Sequence, residues 1–415
     1  MSTSNLNKGT IKIERMDSKQ DYRGLCAVIW GADNYNTLGL LRSLAVVDLN
    51  ITLIVTGSKH GVATASKYCK KYYIAHSIEK SVEYMIENYP EQKEANKKAF
   101  LFPGGDGASL GIANNYDVLH NRFFLMCSTD PQILINVTDK NVMGRLADEA
   151  GLLTPSAQPY KYGDTDINVP FPALLKPVHI EGRTEFKTKL IQSKEELFSF
   201  SHILNHKNTY ILQQYINKEC DIVIYGCRLP DGTLKLAGHH TLERWSDDGG
   251  GSYGHLYPDI PEYLNPKGLA KLFDLIDYHG LFSAEYGFMD GKAYFYEVNL
   301  RNDGFCHLSF QAGANLPLLW VQACLNLPLT ASSKIKESVV GINEIYDIIN
   351  VWRGKISWKK YKSDKAEAKA FHFYDSNDLQ PYKNMHRRMF WEIPFRAILK
   401  KYRPLIVRTL KVFDL

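Results

Sequence analysis

No stretch of this 415-residue chain reaches the roughly 18 consecutive apolar residues that a membrane-spanning helix needs. Residues 1–20 are polar and of mixed charge, without the apolar core of a secretory signal, so the expected location is the cytoplasm. The seven cysteines include no Cys-x-x-Cys pair, and their spacing matches neither a zinc ribbon nor a disulfide framework. Free thiols are expected. Gly-Lys-Ser/Thr is missing, which leaves a P-loop ATPase without support. His202 and His206 lie four apart but lack the glutamate of a zincin, and read as an exposed helix face rather than a zinc site. The run GGSYG (250–254) has the letters of a hydrolase nucleophile elbow. Asp247 and Asp248 before it and Pro258 after it do not suit the strand and helix that the elbow requires. Residues 244–254 are instead expected to form a loop that closes over substrate.

What is present is ordinary globular material: 45% hydrophobic and 23% charged residues. The length predicts two or three domains. Residues 25–125 alternate short apolar runs (25–30, 51–55, 100–101) with helical patterns (37–47, 77–89), the βαβ signature of a doubly wound parallel sheet. A helix at 140–150 is stopped by Gly151 and Pro155. From 171 to 301 the chain favours strands: 172–176, 186–191, 210–214, 221–227, 234–240, 281–289 and 293–299. Helices at 194–205 and 266–278 interrupt them. The fold class is therefore α/β followed by α+β with an antiparallel sheet, divided at 21–130, 131–330 and 331–415.

The run FYEVNLRNDG (295–304) carries the most chemistry. On a strand, alternate side chains share a face. Glu297, Asn299 and Arg301 then point one way, with Val298 and Leu300 behind them. An acid, an amide and a cation on one face suit a magnesium–phosphate site, since magnesium takes oxygen ligands, usually one or two carboxylates plus phosphate oxygens. Arg301 would stabilise a transferring phosphoryl group. Glu285 lies on the preceding strand, before an Asp290-Gly291 turn. A tight two-residue loop pairs Met289 with Lys292 and sets Glu285 opposite Tyr296, on the wrong face for Glu297. The two acids share a face only with an odd-length loop or a bulge. The alternative is a solvent-facing hairpin with routine surface charges.

Lys176 closes an apolar strand before Pro177, and Lys140 begins a helix; each can reach a phosphate or simply solvate an element end. The strand 210–216 carries Gln213 and Gln214, followed by Glu219 and Asp221, an arrangement able to read an adenine edge and bond ribose hydroxyls. PGGDG (103–107) is a near miss to a dinucleotide fingerprint. Gly105, Asp106 and Gly107 there form either a substrate site at a helix N-terminus, with Asp106 binding an amine, or a plain tight turn. Of His239 and His240, one is expected to face the active site.

In this order the pieces resemble the ATP-grasp superfamily over roughly residues 25–330, most specifically at Glu297–Arg301. Within it the chain is similar to the D-aspartate ligase group, through FPGGDGASL (102–110), KNVMGRLADEAGLLTP (140–155), LLKP (174–177), ILQQYI (211–216), AGHHTLE (237–243) and FYEVNLR (295–301). The resemblance implies a βαβ domain before an ATP-grasp domain. It implies magnesium on Glu285, Glu297 and Asn299, and Arg301 at the acyl-phosphate chemistry. Lys140 and Lys176 would contact ATP phosphates, Gln213, Gln214, Tyr215 and Ile216 the adenine, and Glu219 the ribose. Gly105, Asp106, Gly107 and His240 fall to the substrate. The implied activity is ADP-forming ligation of a small carboxylate to an amine, such as D-aspartate or another amino acid joined to a cell-envelope precursor or polysaccharide. A dipeptide- or small-molecule-forming ligase and an inactive nucleotide-binding module are the other readings. The usual glycine-rich loop is here VHIEGRTEFKTK (178–189), with the single glycine Gly182.

Between Lys383 and Lys411 there are nine Lys or Arg residues and one acid, Glu392. Interleaved with aromatic and aliphatic residues, they suit either peripheral contact with an anionic membrane or a helix packed on the body. Nucleic-acid binding is not expected.

Overall fold

The computed structural model describes residues 20–179, 186, 188–246 and 250–392. Five parallel strands come first: β1 (Cys26–Gly31), β2 (Asn50–Thr56), β3 (Lys71–Ala75), β4 (Ala99–Pro103) and β5 (Phe123–Leu125). Their order β3-β2-β1-β4-β5 is the doubly wound one expected. β1 reads CAVIWG, nearly all buried, as a strand covered on both faces must. A short strand, β6 (Cys127–Ser128), then leaves this sheet to pair with a later one.

A small antiparallel sheet follows, β7 (Ala157–Tyr160), β8 (Ala173–His179), β9 (Lys189–Ile191) and β10 (Thr209–Gln214), in the order β7-β10-β8-β9. It has its own core, built on Tyr160, Leu175, Leu197, Tyr210 and Leu212. The loop 178–189, in the place of the usual glycine-rich one, falls mostly outside the described residues.

The largest sheet has eight strands. β11 (Cys220–Arg228), β12 (Leu234–Trp245), β13 (Gly251–Tyr257), β14 (Tyr278–Met289), β15 (Lys292–Asn299), β16 (Val339–Ile342) and β17 (Ala370–Phe371) run in the order β15-β14-β11-β12-β13-β16-β17, with β6 beside the start of β14. Most neighbours are antiparallel; β16 and β17 are parallel. Two expectations need correction. The 244–254 loop is largely strand, because β12 continues to Trp245 and β13 starts at Gly251; residues 247–249 lie outside the described ones. The helix at 194–205 ends at Ser201.

β16 and β17 carry this sheet across the boundary expected at 331. The first helix, Tyr35–Leu44, is tied to the same late segment. Arg42, fully buried, bonds the Asp378 carboxylate at 3.0 Å and the carbonyls of Phe373 and Asp378. One hydrophobic core accordingly runs from Tyr22 to Met389.

Candidate active site

The β14–β15 hairpin resolves the register question. Asp290 and Gly291 form a two-residue turn, with φ of 51° and 74° as two consecutive left-handed residues allow, and Met289 pairs with Lys292. Phe288, Gly287 and Tyr286 then pair regularly with Ala293, Tyr294 and Phe295. At the next step the ladder slips, and Glu285 faces Glu297. Tyr296 is the extra residue. A bulge therefore delivers what the tight turn alone forbids, two carboxylates opposite each other. Gly287 makes room for it: a Cβ there would lie 2.0 Å from the Tyr296 hydroxyl.

The face is knit by hydrogen bonds. Asn299 Nδ2 donates to Glu285 Oε1 at 2.8 Å, and its Oδ1 accepts from Arg301 at 3.0 Å. Arg301 also pairs with Asp106 at 2.5 Å, joining the first domain to this sheet. Lys140, first residue of the helix Lys140–Ala150, meets Glu297 at 2.5 Å. Asp139 caps that helix and Gly151, at φ 82°, ends it. From the small sheet, Lys176 donates to Gln213 at 2.8 Å. Burial first, and Lys140 second, push the Lys176 ammonium below its ordinary range, while Glu297 opposes them. These two lysines thus face one carboxylate from different elements.

Glu285 is mostly withdrawn from water. Burial, followed by the charges of Glu297 and Asp303, pushes its carboxyl up to about 7. Asp303 is itself buried and raised by desolvation, held by backbone N–H donors of Phe305 and Cys306. A site that concentrates acids in this way is short of positive charge, which a cation would supply. Two carboxylates and an amide oxygen match the hard oxygen ligands of magnesium, with phosphate and water completing the shell. Among the described residues no group of three or more His, Cys, Asp or Glu side chains suits a metal ion; the present set has two such residues plus Asn299.

The other expected residues fall in different places. Gln214 accepts from the Ser156 amide, Tyr215 donates from its backbone to the Pro172 carbonyl, and Ile216 is buried. Glu219 is exposed and accepts from the Asp290 amide, bracing the turn, whereas Asp221 lines the cleft. Gly105 precedes the helix Asp106–Asn114, and Gly107 lies in its first turn; neither lines the cleft. His240 does line it, together with Glu285, Asn299 and Arg301, while His239 is turned away onto the Asp259 carbonyl. Residues that the sequence did not mark also line it, among them Tyr35, Asp303, Asn343 and His372. The bulged Tyr296 is another omission, half-buried on the same face, with its phenol raised by burial and by the nearby Asp221.

Solved structures share this architecture. N5-carboxyaminoimidazole synthetase from Staphylococcus aureus superposes with a TM-score of 0.60 at 13% identity, over 81% of this chain and 87% of that one. An ADP complex of N5-carboxyaminoimidazole ribonucleotide synthetase gives 0.56 at 16% identity, over 80% and 85%. The L-amino acid ligase from Bacillus licheniformis gives 0.54 at 13%, over 76% and 78%. The fold is that of the ATP-grasp ligases. Neither a protein-family model nor a curated sequence matches the chain. Lys140 reaches Glu297 of the bulged hairpin from its own helix; Lys176 sits in the middle of β8 rather than closing it, and neither lysine lines the cleft.

Proposed function

We propose that this chain is an ATP-dependent, ADP-forming carboxylate–amine ligase. The observation that carries the reading is the single face bearing Glu285, Glu297, Asn299 and Arg301, made continuous by the Tyr296 bulge and approached by Lys140 and Lys176. Glu285, Glu297 and Asn299 would hold magnesium, which supplies charge neutralisation for the nucleotide phosphates when bound. Lys140 and Lys176 bind the phosphates. Gln213 to Ile216 border the nucleobase, and Asp221, rather than Glu219, is the acid better placed for the ribose.

In the first step a carboxylate oxygen attacks the γ-phosphorus, and the bond to ADP breaks. Arg301 offsets charge on the phosphoryl oxygens. In the second, an unprotonated amine attacks the acyl carbon, phosphate leaves, and the nitrogen gives up a proton. The carboxylate is small, D-aspartate or another amino acid in line with the resemblance, and the amine belongs to a cell-envelope precursor or polysaccharide. An intact Glu297, Asn299 and Arg301 argue against an inactive nucleotide-binding module. An ADP-release screen of D- and L-amino acids against amine acceptors tests the reaction. With an 18O-labelled carboxylate, labelled phosphate supports it, and ADP release that needs neither substrate contradicts it.

Peripheral membrane contact is part of the proposal. Among the described residues no helix is long and apolar enough to cross a membrane. Trp352 and Phe390 are both over 40% exposed and pack edge to face at 5.3 Å, beside the helix Gln380–Arg387. The remaining basic stretch, 393–411, lies outside the described residues.

A further inference from the structure

One wall of the cleft, beginning at His240 two strands across from Glu285 on the same sheet, differs in its chemistry. His240, Asn343 and His372 are each more than nine-tenths buried and line the cleft. Both ring nitrogens of His240, Nδ1 of His372 and Nδ2 of Asn343 have no hydrogen-bond partner among the described residues. Asn36 Oδ1 and Trp245 Nε1, from two other lining residues, are also unpartnered. Buried polar atoms of native proteins are nearly always paired, and a cluster of exceptions needs a cause. Here five residues from three separate parts of the chain carry such exceptions, and all five line one cleft.

The unpaired set is mixed and uncharged. Asn343 and Trp245 offer N–H donors and Asn36 an acceptor; a neutral imidazole offers one of each. Burial, the main cause in both rings, lowers His240 and His372 to about 3, so neither supplies positive charge near neutral pH. Of the lining acids, Asp221 is already bonded by Lys218, and Glu285 and Asp303 are left with the single lining cation, Arg301, which Asp106 engages. Arg244, nearby on β12, is consumed by Asp347 and Asp364. An anionic group would find donors here but no free counter-charge, and would meet Asn36 Oδ1 as well. A hydroxyl both donates and accepts, which is what a mixed neutral set requires. The rings of Tyr35 and Phe305 in the same lining give the C–H faces of a sugar something to pack on.

We infer that this wall binds the hydroxyl groups of an amino sugar, and that this sugar is the amine acceptor of the ligase. The inference rests on the proposed ligase reading and narrows its acceptor from amines in general to amines carried on a neutral, hydroxyl-rich ring.

The test uses full-length protein with magnesium and ADP. Methyl glycosides of 2-amino- and 4-amino-hexoses are the probes, and L-lysine and D-alanine are the comparison amines. Saturation-transfer NMR should show contact with at least one glycoside and weaker contact with either amino acid. His240→Ala and His372→Ala should weaken glycoside binding about ten-fold or more while changing ADP affinity less than two-fold. His372→Asn, which keeps a neutral donor and acceptor, should lose less than His372→Ala and guards against misfolding. ADP release with an amino sugar as sole amine would add support. Preference for the amino acids, or no contact with any glycoside, would overturn the inference while leaving the ligase reading intact. Failure of wild-type protein to bind ADP would instead strike the ligase reading.

Discussion

Glu285 lies directly opposite Glu297 across two antiparallel strands because Tyr296 is extruded between Phe295 and Glu297. The pair is costly without a cation. One member is buried, and like charge adds to the desolvation that holds its proton on until about pH 7.

That proton has a thermodynamic signature. Glutamate in the unfolded chain ionises near 4.5, whereas Glu285 in the native protein ionises near 7. Between those values the native state binds more protons, so this residue's contribution makes stability fall as pH rises. At about 1.4 kcal/mol per pKa unit, the cost above pH 7 has a ceiling of roughly 3 kcal/mol. In metal-free buffer Glu285→Gln should therefore melt higher than wild type at pH 8, with the advantage shrinking toward pH 5. Thermal scans in EDTA at the two pH values check this; equal melting at pH 8 would remove the assigned burden from Glu285.

Arg301 touches Asn299 and Asp106, within the acid-rich face. Its proposed role is at the phosphoryl group rather than in holding ATP. Arg301→Ala should lower kcat by about 10²–10³-fold, as loss of a transition-state charge partner does, with ADP affinity within about three-fold of wild type. Steady-state kinetics beside calorimetry separate the two effects. Undiminished turnover refutes the role.

Lys140, at a helix start, and Lys176, in the middle of β8, are the proposed phosphate ligands. Either substitution to methionine should weaken ATP binding about ten-fold, and the double variant should weaken it further. Lys140→Met also leaves Glu297 without its partner, so magnesium should bind that variant at least as well as wild type when nucleotide is absent. Titration calorimetry with ATP and with magnesium alone measures both; unchanged ATP affinity in the double variant counts against the assignment.

The basic end of the chain gives a separate prediction. Full-length protein should float with phosphatidylglycerol vesicles and stay down with neutral phosphatidylcholine. A chain ending at Asp378 should remain at the bottom of the gradient in both cases. Equal flotation of the two proteins ends the membrane proposal.

The sequence made legible whatever is local and periodic. The βαβ alternation, the helix between Asp139 and Gly151, and the acid–amide–arginine strand all appear where expected. Register arithmetic showed that Glu285 needed an irregularity, but not which one. The bulge depends on Tyr296 settling over Gly287, a cross-strand contact without a sequence signature. Asn343 and His372 were illegible for another reason. They follow β16 and β17, of four and two residues, too short for a period, and only the sheet order carries them to the cleft. Glu219 and Asp221 differ by two positions, and each already has a partner: the Asp290 amide holds Glu219, and Lys218 holds Asp221.

The most direct measurement of the central claim is calorimetric titration of ADP with and without magnesium, on wild type and on Glu285→Gln/Glu297→Gln. It needs no knowledge of the carboxylate or the amine. Magnesium should tighten ADP binding at least ten-fold in wild type and leave it unchanged in the double variant. An equal magnesium effect in both proteins would contradict a metal site built on the bulged carboxylate pair.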